Sequence, residues 1–294
     1  MLKEFQKIFV DPIDYSPLSF EGELRNGLWY NGYLRSSSGE TWPVREGIPN
    51  FIRTEVSGAR WTDERIKELL DNGTYEQNWK NGRRVLNEAG SGFAEACQET
   101  ADRGCPIIDI ASGPGGGFMP LLLVLNPETV VMATDAGPPV VHGWKEYFDR
   151  QGITLPVCFA AFDARNMPLA SNSVEVITSS GGFSSVSEPL IAFREAARVL
   201  ADDGIIYAAE AAMEREGLEV LSSKMGWDFE VKFGQKFKMS ITEIFDESSL
   251  KVLKERPYFR RKMRPDDNEY AEAACKIGVE LWVGGNVYWL AKRD

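Results

Sequence analysis

Asp109, Asp135 and Asp163 each close a short apolar run, and the first is followed at once by a stretch that includes Gly113, Gly115, Gly116 and Gly117. An ionised carboxylate is an acceptor only, so acids placed this way can hold hydroxyls, amino groups or an ammonium. Glycines add what side chains cannot: room for a ligand to lie against bare backbone, with unpaired N–H groups where a helix opens. The run Ile107-Ile108-Asp109-Ile110-Ala111-Ser112-Gly113-Pro114-Gly115-Gly116-Gly117-Phe118 therefore reads as a buried strand, a tight turn and a helix start, a nucleotide-type pocket. It departs from the dinucleotide pattern G-x-G-x-x-G, whose third glycine lets the helix pack close, because Phe118 stands there. The acid at 109 also disfavours a pyrophosphate and suits a ligand that carries an ammonium.

The next strands repeat the theme. Val130 to Asp135 is apolar and ends in an acid, Pro138-Pro139 then turning into a helix, and Val157 to Ala164 closes on Asp163-Ala164. A carboxylate at the C-terminal end of a parallel strand lies at the mouth of the sheet, where it can accept two bonds from a ribose diol. Taken together the residues resemble the class I S-adenosylmethionine-dependent methyltransferases, whose first motif is an acid followed by x-G-x-G-x-G; Ala111 stands where that family usually has its first glycine. The resemblance implies S-adenosyl-L-methionine as cofactor. Its methionine end falls to Asp109, Ala111, Ser112, Gly113 and Gly115, its ribose to Asp135 and Ala136, and its adenine to Asp163 and Ala164. A fourth strand, Val174 to Ser180, ends in Gly181-Gly182, and the small Ser179 and Ser180 leave room for the methyl to meet its acceptor. This is not the Asn/Asp-Pro-Pro-Tyr/Phe loop of one branch, which argues against methylation of adenine N6 or a glutamine amide.

These residues need a sheet to hold them. The expected fold is α/β: a seven-stranded, doubly wound, Rossmann-like methyltransferase sheet with an antiparallel C-terminal hairpin, plus a small N-terminal β module. Residues 1–55 form that module, with Asn31-Gly32 read as a hairpin turn between two aromatic runs. Its order resembles the zinc ribbon that precedes some ribosomal RNA guanine methyltransferases. Asp11, Asp14, Arg35 and Ser38 stand where two C-x-x-C pairs would be, so the module is expected to keep its shape without a metal, Asp11 and Asp14 acting as turn residues. Residues 56–104 read as a helical cap that offers Tyr75 and Trp79 as candidate pocket walls, though ordinary helix packing explains both. Residues 105–294 hold the core. In it, 212–275 is read as an insertion covering the substrate, with strand-like alternation at Phe229, Val231 and Phe233 and at Phe237, Met239 and Ile241. Lys251, Lys254, Arg256, Arg260, Arg261, Lys262 and Arg264 make a basic cluster there. The closing hairpin is read as Ile277 to Val283, a Gly284-Gly285 turn, and Val287 to Ala291.

Composition bounds the partners. With 43% hydrophobic residues the 294-residue chain can build a sizeable core, and no apolar run approaches the roughly eighteen residues of a membrane span. The start lacks the basic and apolar stretch of a signal peptide, so the cytoplasm is the expected location. A net charge of −11 opposes nucleic-acid backbones and favours a small-molecule substrate. The cysteines at 97, 105, 158 and 275 form no C-x-x-C pair and are read as small buried residues. His142, the single histidine, is assigned to a helix face, and no nucleophilic triad can be assembled around it. The catalytic base is left open, with Tyr75 and Glu210 as examples. The leading expectation is an enzyme that transfers a methyl group in line to a small acceptor. Alternatives are an RNA or protein methyltransferase and a non-catalytic binding partner with the same fold; an NAD-dependent reductase is disfavoured by Phe118 and Asp109. The resemblance and the sequence leave the oligomeric state open.

Overall fold

The computed structural model describes residues 1–53, 61–86, 92–237 and 239–293. A short helix α1 (Lys3–Gln6) leads into an antiparallel sheet of β1 (Leu18–Arg25), β2 (Leu28–Ser36), β3 (Thr41–Arg45) and β4 (Ile48–Pro49), in that order. The β1–β2 turn is Asn26-Gly27, both with positive φ (53° and 74°), the backbone that a tight hairpin needs. The expected turn at Asn31-Gly32 is instead the middle of β2: Gly32 pairs with Gly22 on one side and Val44 on the other. A Cβ on either glycine would lie 2.2 Å from a carbonyl oxygen across the pair. Here close strand approach, not chain reversal, is what requires the glycine.

The cap comprises α2 (Asp63–Asp71), α3 (Thr74–Leu86) and α4 (Gly92–Asp102), with Thr62 capping α2 by accepting from Arg65 N. Then follow β5 (Ile107–Asp109), α5 (Met119–Leu125), β6 (Val131–Asp135), α6 (Pro138–Gln151), β7 (Val157–Ala161), β8 (Val174–Ser180), a 3-10 turn at Phe183–Ser185, α7 (Pro189–Val199) and β9 (Leu200–Met213). The chain ends with α8 (Arg215–Met225), α9 (Phe229–Phe237), α10 (Ile241–Glu247), β10 (Leu250–Lys262), α11 (Glu269–Lys276) and β11 (Trp282–Lys292). The main sheet runs β10-β11-β9-β8-β5-β6-β7. Strands β5 to β9 are parallel, while β11 runs antiparallel to both β9 and β10. The order reverses between β5 and β8, so a crevice opens outside the carboxyl ends of these strands, where Asp109, Asp135 and Ser180 stand.

The sheet corrects the sequence reading at its C-terminal end. Gly284 and Gly285 do not turn; β11 runs straight through them, pairing with β9 at Ala212 and Ala211. A Cβ at Gly285 would fall 2.4 Å from the Phe259 ring and 2.5 Å from that of Tyr258, so the glycine admits two aromatic rings of β10. The other arm of the hairpin is β10, inside the stretch expected to be an insertion, which leaves 214–249 and 263–281 outside the sheet. Phe229, Val231 and Phe233 lie on a helix, not a strand, and α10 carries a capping box of Ser240 and Glu243.

Two apolar layers cover the sheet. One is shared with the N-terminal module, whose Phe9, Trp29, Trp42 and Phe51 pack with Met132, Phe162 and Leu169; the Phe9 and Phe51 rings stack at 5.5 Å. Phe51 N donates to Ala161 O at 2.8 Å, and Asn50 bridges to Ala161, so the module also protects the open edge at β7. At the zinc-ribbon-like corner, Asp11 Oδ1 accepts from Ile13 N and Asp14 Oδ1 from Ser16 N, both at 2.9 Å, forming two Asx turns. Bonds from Ser16 first, and from Ser38 as well, hold the Asp14 carboxyl below its usual range. Arg35 faces the opposite side and pairs with Glu21, because adjacent strand residues point to opposite faces; Ser36, not Arg35, bonds to Ser38 (2.8 Å). All four cysteines are free, Cys97 and Cys158 buried as expected, Cys105 half-buried and Cys275 exposed.

Candidate cofactor and acceptor site

Asp109 ends β5 with its carboxylate sealed inside the protein. Thr178 Oγ1 donates to it at 2.6 Å, Ser112 Oγ at 2.7 Å and Phe118 N at 3.3 Å. Burial pushes this acid up to about 6, and its donors, Thr178 foremost, pull the other way. Asp109 thus ties β5, β8 and the far end of the glycine loop together, and the loop curls tightly around it: a Cβ on Gly117 would lie 2.2 Å from Asp109 Oδ2. The atoms that reach the surface belong to the loop's crest, where Gly115 has open space above it and Gly113 meets only Gly115 N, at 3.9 Å. Ala111 holds φ 51°, a backbone that glycine adopts at little cost, which explains the family's preference at this position.

The crest is fixed from three sides. Gly113 N donates to Asp135 Oδ2 at 3.0 Å, Trp144 Nε1 donates to Gly113 O at 2.9 Å, and Asn78 Nδ2 donates to Pro114 O at 3.0 Å. Asp135 accepts a second backbone bond, from Gly137 N at 2.8 Å through Oδ1. Each oxygen so used keeps a lone pair for a ribose hydroxyl. Burial raises the Asp135 pKa, opposed by those two bonds. Phe162 N donates to Asp135 O at 3.1 Å, which sets Asp163 and Ala164 beside the same mouth, next to half-buried Ala136.

Asp163 has another partner. Its oxygens accept from Arg165 N, Nε and Nη2, and Arg165 reaches on to Ser187 and Glu188 after β8. The carboxylate therefore clamps the β7 loop to the β8 loop, leaving backbone and Ala164 to meet a ring. Ser179 is buried, its Oγ donating to Ile110 O at 3.0 Å; Ser180 is half-buried at the strand end. Tyr75 is fully buried against Trp144 with ring centroids 4.7 Å apart, and Trp79 packs edge-on against Phe148, so both are helix-packing residues. Trp61 lies near the turn after Asp135: a Cβ on Gly137 would lie 3.6 Å from its Cβ. Trp61, inside the span read as a helical cap, instead precedes α2 and lies beside Gly137, a placement that no spacing encodes. His142, on α6 beneath the N-terminal sheet, lies away from this crevice, and burial lowers its pKa.

A family profile described as "Methyltransferase domain" matches residues 108–208, the span from β5 through most of β9 that carries the loop and all three acids. Over residues 108–208 the chain is similar to a methyltransferase domain. Solved structures with a similar course include a methyltransferase from Bacillus halodurans, 16% identical, covering 69% of this chain and 99% of that one at a TM-score of 0.48. Another is an arsenic(III) S-adenosylmethionine methyltransferase from Chlamydomonas reinhardtii, 15% identical over 65% of this chain and 64% of that one, TM-score 0.45. A third is a sarcosine dimethylglycine methyltransferase from Galdieria sulphuraria, 16% identical over 67% of this chain and 83% of that one, TM-score 0.45. No curated protein matches the sequence. The strand order and the matched profile, rather than these likenesses, carry the assignment.

The cofactor of this class is S-adenosyl-L-methionine, and the methyltransferase domain presents a donor set that fits it: open glycines at the crest, spare lone pairs on Asp135 and a small-residue gap at Ser180-Gly181. No helix of the described residues is long and apolar enough to cross a membrane.

Proposed function

We propose that this methyltransferase domain moves a methyl group from S-adenosyl-L-methionine to a small-molecule acceptor. The reading rests above all on one arrangement: Asp135, the crest of Gly113 and Gly115, and Ser180 stand around one mouth at the sheet's switch point. In it the ribose lies on Asp135 and Ala136, the adenine against Asp163 and Ala164, and the methionine end along Ala111, Ser112, Gly113 and Gly115, with Asp109 shaping that loop from beneath. The reacting methyl faces the gap at Ser179, Ser180 and Gly181. The cofactor brings an activated methyl; the chain's own part is to align the acceptor with it at about 3 Å and to exclude water.

The β10 cations support a small acceptor over RNA. Lys254 pairs with Glu95 and Glu99, Arg260 with Glu214, Arg261 with Asp267, and Lys262 with Glu280, so the cluster that looked basic in sequence is largely neutralised in space. Titration calorimetry with S-adenosylhomocysteine tests the cofactor reading: micromolar, saturable binding is expected, and its absence would favour a non-catalytic binding partner. Label transfer from tritiated cofactor to a panel of small acceptors, set beside total RNA and a protein lysate, tests the acceptor class. Counts confined to RNA or protein would overturn it.

A further inference from the structure

One ionisable group at this edge of the sheet has a valence that the fold leaves open. Glu210 follows Ala209 on β9, which pairs with Ser180, and Gly181 N donates to Ala209 O at 2.7 Å, so Glu210 lies directly behind the gap at the end of β8. Its side chain is buried. Oε2 accepts from Ser184 N at 3.0 Å, whereas Oε1 is sealed with no hydrogen-bond partner among the described residues. Burial raises the phenols of Tyr258 on β10 and Tyr288 on β11, the charge of Glu210 reaches both and raises them further, and among the described residues no cation acts on it. A buried carboxyl oxygen without a donor is costly, and folds retain few such groups without a use for them. In the proposed reading the nucleoside lies at the ends of β6 and β7, which leaves the other side of the switch point, at β8 and β9, for an acceptor. Glu210 stands on that side.

We propose that Glu210 is a catalytic residue of the acceptor site, orienting an O–H or N–H nucleophile through Oε1 and taking its proton. The proposal rests on the methyltransferase reading above and narrows it to acceptors whose reacting group is an O–H or N–H, strong hydrogen-bond donors, rather than the weakly donating S–H. In the step, the acceptor's lone pair forms the bond to the methyl carbon. The carbon–sulfur bond breaks with its electron pair left on sulfur, giving S-adenosylhomocysteine, and the O–H or N–H proton passes to Glu210 before solvent removes it. Burial, opposed by the Ser184 bond, pushes this carboxyl up to about 7, close to the value a proton acceptor needs at neutral pH. Gly181, with positive φ (66°), has open space at its Cβ position beside this carboxyl's turn.

The test uses the full chain saturated with S-adenosylhomocysteine and three probes of similar shape: 4-methylphenol, benzylamine and benzyl mercaptan. Infrared difference titration is expected to show a carboxyl band that titrates near neutrality, vanishes in Glu210→Gln and shifts on adding the phenol or the amine but not the thiol. The arm that shifts it further names the O–H or N–H class. With tritiated S-adenosylmethionine, kcat for that probe is expected to fall at least 100-fold in Glu210→Gln and to recover in part in Glu210→Asp, with cofactor affinity within about twofold of wild type. A band that no probe shifts, equal shifts with the thiol, or unchanged kcat in Glu210→Gln overturns the proposal. Loss of S-adenosylhomocysteine binding in Glu210→Gln alone also overturns it, whereas absence of binding by the wild-type chain overturns the methyltransferase reading instead.

Discussion

Because burial lifts Asp109 from 3.8 to about 6 and Glu210 from 4.5 to about 7, the native protein holds more protons than the unfolded chain between those values. Unfolding free energy therefore falls as pH rises through this window, each acid accounting for on the order of 3 kcal/mol once ionised. Urea melts from pH 4.5 to 7.5 are expected to show this fall, and Glu210→Gln to flatten its upper part; a rise with pH would contradict both burials. Asp109→Asn keeps the shape but loses acceptor capacity for Thr178, Ser112 and Phe118 N, at an expected cost of about 1–3 kcal/mol by the same melts. Asp135→Ala differs in kind. It removes the proposed ribose acceptor and leaves Gly113 N and Gly137 N without theirs, so S-adenosylhomocysteine affinity is expected to drop at least tenfold in calorimetry while most of the stability remains. The types and order of the three acids were legible in sequence, since a strand end is visible as an apolar run. Which acids are sealed was not: Asp109 and Asp163 follow similar apolar runs, and only neighbours such as Thr178 and Arg165 decide their partners.

At the scale of elements, the loop between β5 and α5 sets opposite demands at two small residues. Ala111 holds a left-handed backbone that costs an L-residue about 1–2 kcal/mol, so Ala111→Gly, despite its looser unfolded chain, is expected to leave the melting temperature unchanged or raise it by a few degrees. Gly117→Ala has positive φ (54°) against it as well as Asp109 Oδ2, and is expected to cost more than about 2 kcal/mol and to weaken cofactor binding. Thermal scans with calorimetry separate the two variants. The same scale holds the misread turns. Asn31-Gly32 and Gly284-Gly285 carry turn composition but sit in continuous strands, since a glycine also serves where a neighbouring strand or ring comes too close for a Cβ. Strand β10, rich in Lys and Arg, shows little apolar alternation because it lies at the sheet's edge, its charges answered by acids remote in sequence.

For the whole molecule, the N-terminal module is part of the core. Phe9, Trp29, Trp42 and Phe51 complete the apolar layer over Met132, Phe162 and Leu169, and Ala161 takes its backbone bond from Phe51. Removing residues 1–53 would bare that layer and the β7 edge. The truncated chain is expected to aggregate or to bind a hydrophobic dye with its near-ultraviolet circular dichroism lost, while the full chain melts in one transition. A shortened protein with native signal and full cofactor affinity would show that the module is dispensable.

The sequence by itself determined the succession of parallel strands from β5 to β9, the acids at or just past three of their ends, the bare loop and the methyltransferase resemblance, because apolar periodicity and glycine spacing are local and survive without knowledge of neighbours. Only the tertiary structure decided that Asp109 is a buried tie, that Trp61 lies beside Gly137, that the basic run is a paired edge strand and that Glu210 keeps an unpartnered oxygen among the described residues. Each of those depends on which distant groups come within 3 to 4 Å, a property of packing that no stretch of chain carries alone.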